Sequence, residues 1–204
     1  MTTHNVAPAA SARERILAAA YELFSRRGIR AVGTDEVIER AGVARATLYR
    51  HFATKNDLVL AVLQRREQVW THGLIEEQSR QRAPHGRAAV GDLRRHARLV
   101  STARRLRGCS FINVLLELGA DHPVGQACIA HIDHVRDIVR RRAAAAGLTD
   151  VEEFASSWHI LMKGAIVLAA VGDADAALRA RKMGSALIGE HRPISAADPG
   201  EAVS

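Results

Sequence analysis

Aromatic residues make up only 4% of this 204-residue chain, and cysteine occurs only at Cys109 and Cys128. Two cysteines cannot build a disulfide framework, which excludes the small secreted scaffolds that depend on one. With so few rings in a chain that is 48% apolar, the core has to be made mostly of Leu, Val, Ile and Ala. No apolar run approaches the roughly 18 residues a membrane span requires. The opening "MTTHNVAPAASARE" has no apolar stretch of signal-peptide length. The expectation is a cytoplasmic protein with no membrane attachment. Period-two alternation is also missing, so no sheet is expected. Lysine is scarce as well: 26 of the 29 basic residues are Arg.

What is abundant is therefore arginine, whose planar fork suits phosphates and carboxylates. The formal charge is +7. From Ser11 to Arg66 the chain holds eleven Arg or Lys and six Asp or Glu, so about a quarter of its length carries most of the excess. Such a patch favours an anionic partner. Nucleic acid is the leading candidate and an acidic membrane surface the rival.

Helix punctuation runs through the whole sequence. Ser11 and Glu14 form a capping box, followed by Ile16, Leu17, Ala20, Leu23 and Phe24 at helical spacing, with Gly28 at the stop. Thr34 is expected to cap a short second helix ending at Gly42, and a third covers Arg45 to His51. Thr54, with Asp57, caps a long fourth helix carrying Leu58, Ala61, Val62 and Val69 and running past Trp70 to about Ser79. "RAPHGR", residues 82–87, reads as a linker. Further helices are expected over Ala88–Leu106, Cys109–Ala120, Pro123–Ala146, from a cap at Asp150 with Glu153, and over Ala174–Glu190. The fold class is all-α with about nine helices. Residues 1–10 and 192–204 are expected to be disordered, 11–53 to form one helical head, and 54–191 a helical body.

"ARATLYRHF", residues 44–52, packs cations, hydroxyls and an aromatic into nine positions. In "TDEVIERAGVARATLYRHF", Gly42 permits a tight turn while Val37, Ile38, Ala41, Val43 and Leu48 supply a small core. Two short helices so joined describe a helix-turn-helix, whose second helix enters the major groove of DNA. Arg45 is then placed for guanine O6 and N7, and Ala46 for close approach or a thymine methyl. Thr47, Tyr49 and His51 would bond phosphate oxygens, and Arg50 stands on or near the same side. Thr34 and Lys55 sit at helix starts, where backbone N–H groups favour a phosphate.

The stretch "RERILAAAYELFSRRGIRAVGTDEVIERAGVARATLYRHFATKNDLVLAVL", residues 13–63, resembles the DNA-binding domain of the TetR family of bacterial repressors. The resemblance implies a three-helix DNA head on an all-helical body that binds a ligand and dimerises. It implies Arg45, Thr47, Tyr49 and His51 as recognition-helix contacts, with Thr34 and Lys55 as flanking phosphate anchors. Arg50 falls at a position that often points sideways in the family. One departure is Ala46, where many relatives have Gly. The function implied is a ligand-responsive repressor that grips a palindromic operator in double-stranded DNA as a homodimer.

The body is read from pattern. The helix after Asp150 has one apolar stripe of Val151, Phe154, Ala155, Trp158, Leu161, Met162 and Ala165, and another of Ile160, Gly164, Val167 and Val171. A helix apolar on two sides is buried on two sides. The second cover is expected to be another copy of the chain, joined by Ala180, Met183, Gly184 and Leu187 of the last helix. In "GCSFINVLLELGA", residues 108–120, Asn113 and Glu117 interrupt an apolar run at i, i+4 spacing. Either they are satisfied within the core or they line a cavity. With Trp70, Phe111, Trp158 and Met162 they form the candidate pocket for an unknown small organic effector. Cys128, His131 and His134 lie at i, i+3 spacing but lack a CxxC-type partner. They are read as structural, and no cofactor or metal is expected. A metal- or redox-sensing regulator of the same fold and a non-specific architectural DNA protein are the alternatives. No nucleophile–base pair or phosphate-cradling Gly loop supports an enzyme.

Overall fold

The computed structural model describes residues 10–68 and 108–193. Eight α-helices and no strand occur among them: α1 Ala12–Arg27, α2 Thr34–Ala41, α3 Arg45–His51, α4 Lys55–Glu67, α5 Ser110–Leu118, α6 Pro123–Ala145, α7 Val151–Ala170 and α8 Ala176–Glu190. The linker at 82–87, the helix expected over Ala88–Leu106, the extension of α4 to Ser79 with Val69 and Trp70, and most of both tails lie outside the described residues.

Local chemistry sets the boundaries in the first four helices. At α1 the Glu14 amide donates to Ser11 Oγ at 3.2 Å while Glu14 Oε2 accepts from the Ser11 amide at 3.1 Å. Gly28 ends the helix at φ +81° and Gly42 ends α2 in the left-handed region at φ +61°, where a side chain would be strained. Thr54 and Asp57 form the second reciprocal box, at the start of α4. Two expected caps are corrected. The N-cap of α2 is Gly33, whose amide donates to Glu36 Oε1 at 3.0 Å, so Glu36 does the work assigned to Thr34. Asp150 precedes α7 in the left-handed conformation at φ +47°, not the extended one a capping side chain ordinarily uses, and makes no side-chain cap bond.

The described residues divide into two compact units. One comprises 10–68 with Cys109–Ile132, and the other the residues from Asp133 on. In the first, Ile16, Leu17, Ala20, Val32, Val37, Ala41, Leu48, Phe52 and Leu58 form one buried cluster that braces α1–α4. Ile29, Val59, Leu63, Phe111, Val114, Val124 and Cys128 form a second cluster that packs α4, α5 and the start of α6 together. In the second unit, Phe154 stacks on Trp158 at 5.6 Å, and Ile188 closes over both. The turn before α7 is tied down by the Thr149 amide, which donates to the His191 carbonyl at 2.8 Å.

Candidate nucleic-acid interface

The recognition segment stands on the small core beneath it. Leu48 and Phe52 are buried, which leaves Arg45, Ala46, Arg50 and His51 exposed, Thr47 half-buried and the Tyr49 ring 40% exposed. Burial of the apolar positions thus decides which side of a seven-residue helix faces outward. The Tyr49 hydroxyl lies 3.3 Å from Thr34 Oγ1, so the start of α2 and the middle of α3 present their hydroxyls as one pair. Arg45 forms an exposed ion pair with Asp35 of α2. Arg40 pairs with Glu22 at 2.6 Å and Arg27 with Glu36. The Arg40 hydrogen bond holds the Glu22 carboxyl below its ordinary range. At Glu36 the Gly33 amide does so first and Arg27 second.

Lys55 is not wholly committed to solvent. Its ammonium donates to the Ile29 carbonyl at 2.6 Å, which bolts the start of α4 to the turn between α1 and α2. An ammonium has three donors, so the Ile29 carbonyl leaves others available to a further acceptor. Asp35 and the Ile29 carbonyl were missed as partners at the sequence level. Nothing local signals a bond between residues 26 positions apart.

Outside the head, the structure places the other named residues as follows. Glu117 accepts hydrogen bonds from the Ile29 amide at 2.9 Å and the Arg30 amide at 2.6 Å. Of the two readings open for it, satisfaction by protein groups holds. Asn113, exposed on the same helix, also has a protein partner. Phe111 is buried with its ring stacked on His131 at 3.5 Å. Trp158 is buried, Met162 is half-buried, and Trp70 lies outside the described residues. His131 Nδ1 lies 3.0 Å from Glu67 Oε1, and Cys128 sits in the apolar cluster, where burial pushes its thiol up to about 11. Among the described residues no group of three or more His, Cys, Asp or Glu could hold a metal ion. No helix among them is long and apolar enough to cross a membrane.

The residues assigned to a dimer separate into two groups. Ile160, Gly164, Val167, Val171 and Met183 are exposed. Ala180 and Gly184 are instead buried within their own chain, Gly184 directly under the Trp158 ring, and Leu187 packs on the cluster around Phe154. Ala180 and Gly184 therefore serve the close α7–α8 contact rather than an outer face.

The family model described as "Bacterial regulatory proteins, tetR family" matches residues 16–62. Over 61 residues the chain is 49% identical to the HTH-type transcriptional activator FasR of Mycolicibacterium smegmatis, a match covering 30% of this chain and 28% of that protein. A crystal structure of a TetR-family transcriptional regulator from Streptomyces coelicolor superposes with a TM-score of 0.80 at 30% identity, covering 89% of this chain and 96% of the other. A transcriptional regulator from Saccharomonospora viridis solved in complex with choline shares the fold, with a TM-score of 0.63 at 21% identity over 87% of this chain and 95% of its own.

Proposed function

Since the chain belongs to the TetR family of DNA-binding bacterial transcriptional regulators, we propose that it binds a palindromic operator as a homodimer and leaves it when a small organic effector binds. The observation that carries this reading is the outward set on α3 and the start of α2: Arg45, Ala46, Thr47, Arg50, His51 and the Thr34–Tyr49 hydroxyl pair. Arg45 reads a guanine, Thr34, Thr47, Tyr49, His51 and Lys55 hold phosphates, and Ala46 lets the helix sit deep in the groove.

The second copy is called for by the exposed stripe Ile160, Gly164, Val167 and Leu168 on α7, continued by Val171 at its C-terminal cap, with Met183 on α8. Ile160 is 74% exposed, Val171 75% and Met183 60%. Apolar residues that line up at helical spacing and remain in water mark an interface. A two-fold copy matches a two-fold operator, with half-sites about 34–36 Å apart or a multiple of that. The effector site belongs to the helical body in the cytoplasm. A fold neighbour solved with choline supports a small organic ligand as a partner for this architecture. The direction of control follows from where the operator lies relative to a promoter, and overlap gives repression.

The test is selection of DNA from a random pool, followed by titration across a salt series. A regulator retains a large sequence-dependent share of affinity as salt rises, whereas an architectural protein loses everything with the counterion term. Equal affinity for selected and random DNA at every salt concentration would overturn the reading.

A further inference from the structure

Ile29 is held from three directions. Its amide donates to Glu117 Oε2 at 2.9 Å, its carbonyl accepts from Lys55 Nζ at 2.6 Å, and its side chain is buried against Val59, Leu63, Phe111 and Val114. The next amide, that of Arg30, donates to Glu117 Oε1 at 2.6 Å. One carboxylate on α5 therefore grips two successive amides of the turn joining α1 to α2. The same turn grips the lysine that opens α4. Gly28 belongs to this seat: it has φ +81°, and a Cβ there would stand 3.0 Å from both Glu117 oxygens. Hydrogen bonds to a charged acceptor are shorter and stronger than neutral ones, and no other contact from α5 to this turn is of that kind among the described residues.

We propose that Glu117 is a positioning residue for DNA binding: through Ile29 it fixes the α1–α2 turn, and with it Lys55 and the start of α2, at one setting relative to α5. The inference rests on the operator-binding homodimer proposed above. A head free to swing on its turn accepts several half-site separations; a head latched to α5 accepts one. Glu117 thus contributes to spacing selectivity rather than to base reading. Any event in the body that displaces α5 is felt first at two backbone amides of the head.

The test uses the full chain and the selected palindromic operator, together with versions carrying one or two extra base pairs between half-sites. Glu117→Gln keeps the size of the side chain but turns an amide donor toward a backbone donor. Its expected effects are faster hydrogen exchange at Ile29 and Arg30, unchanged exchange at Leu17 and Ala20 in α1, and unchanged base preference within a half-site. Discrimination between spacings should fall about tenfold, within the usual range of coupling between sites. Gly28→Ala disturbs the same seat from the other side and should act alike. It keeps the question answerable if the Gln variant does not fold. Exposed amides with wild-type spacing discrimination, or amides that remain protected, would overturn the latch alone. Wild-type protein indifferent to spacing would overturn the two-fold reading and the latch with it.

Discussion

To read a base as proposed, Arg45 must leave Asp35. The pair is exposed on both sides, and such pairs contribute only about 0–1 kcal/mol, so the guanidinium is held ready at small cost. Arg45→Ala should relax preference at one base pair and cost about 1–3 kcal/mol, read by titrating operator variants substituted at single positions. Asp35→Asn should instead strengthen binding to all sequences, because it frees Arg45 and removes a negative charge beside the backbone. An Asp35→Asn protein that binds more weakly would sink the assignment. Lys55, bonded to the Ile29 carbonyl and proposed to hold a phosphate, has two readouts. Lys55→Ala should weaken all DNA alike and flatten the salt slope by about one, while also lowering the melting temperature through the lost Ile29 carbonyl bond. Cys128, buried and with its thiol pushed up to about 11, should resist alkylation in native protein near neutral pH and react only on unfolding, as a timed thiol assay would report.

At the scale of elements, close approach is set by glycine. A Cβ at Gly184 would lie 2.7 Å from Trp158 Cζ3, so Gly184→Ala overpacks the α7–α8 contact. The expected loss is about 1–3 kcal/mol, visible in thermal denaturation. Gly125→Ala should be worse, since its methyl would meet the Gly119 carbonyl oxygen, and backbone yields less than a flexible side chain. The start of α2 has a pH signature. Glu36 is held below the ordinary carboxylate range by the Gly33 amide and then by Arg27, and Glu22 by its hydrogen bond to Arg40. A carboxyl with a depressed folded value stabilises fully above the unfolded value and loses that contribution as pH falls through the folded one. The melting temperature should therefore decline as pH falls through and below the ordinary carboxylate range, and Glu36→Gln should flatten that decline.

For the whole molecule the decisive feature is the apolar stripe on α7. Charges placed there, as in Ile160→Glu with Val171→Glu, should yield monomers in sedimentation while leaving each chain folded, because both side chains are exposed in the single chain. Operator affinity should collapse with dimerisation, since each monomer then holds only one half-site. A variant that stays dimeric would show that the second copy docks elsewhere.

Features that depend on neighbours along the chain follow directly from the order of residues. Ser11 with Glu14, Thr54 with Asp57, and the glycines at 28 and 42 mark helix ends through bonds and dihedrals that span three or four residues, so α1 to α4 and the outward set on α3 were legible before any coordinates. The caps at Thr34 and Asp150 failed because the choice of capping oxygen depends on backbone dihedrals that composition does not encode. Long-range packing alone makes Glu117 serve the α1–α2 turn, brings Lys55 to the Ile29 carbonyl, and turns Ala180 and Gly184 toward their own chain. The reason is physical: a carboxylate 88 residues away in sequence finds two amides only when packing of the apolar clusters brings α5 against the turn. Helical periodicity reports that a face is apolar, but not which surface covers it.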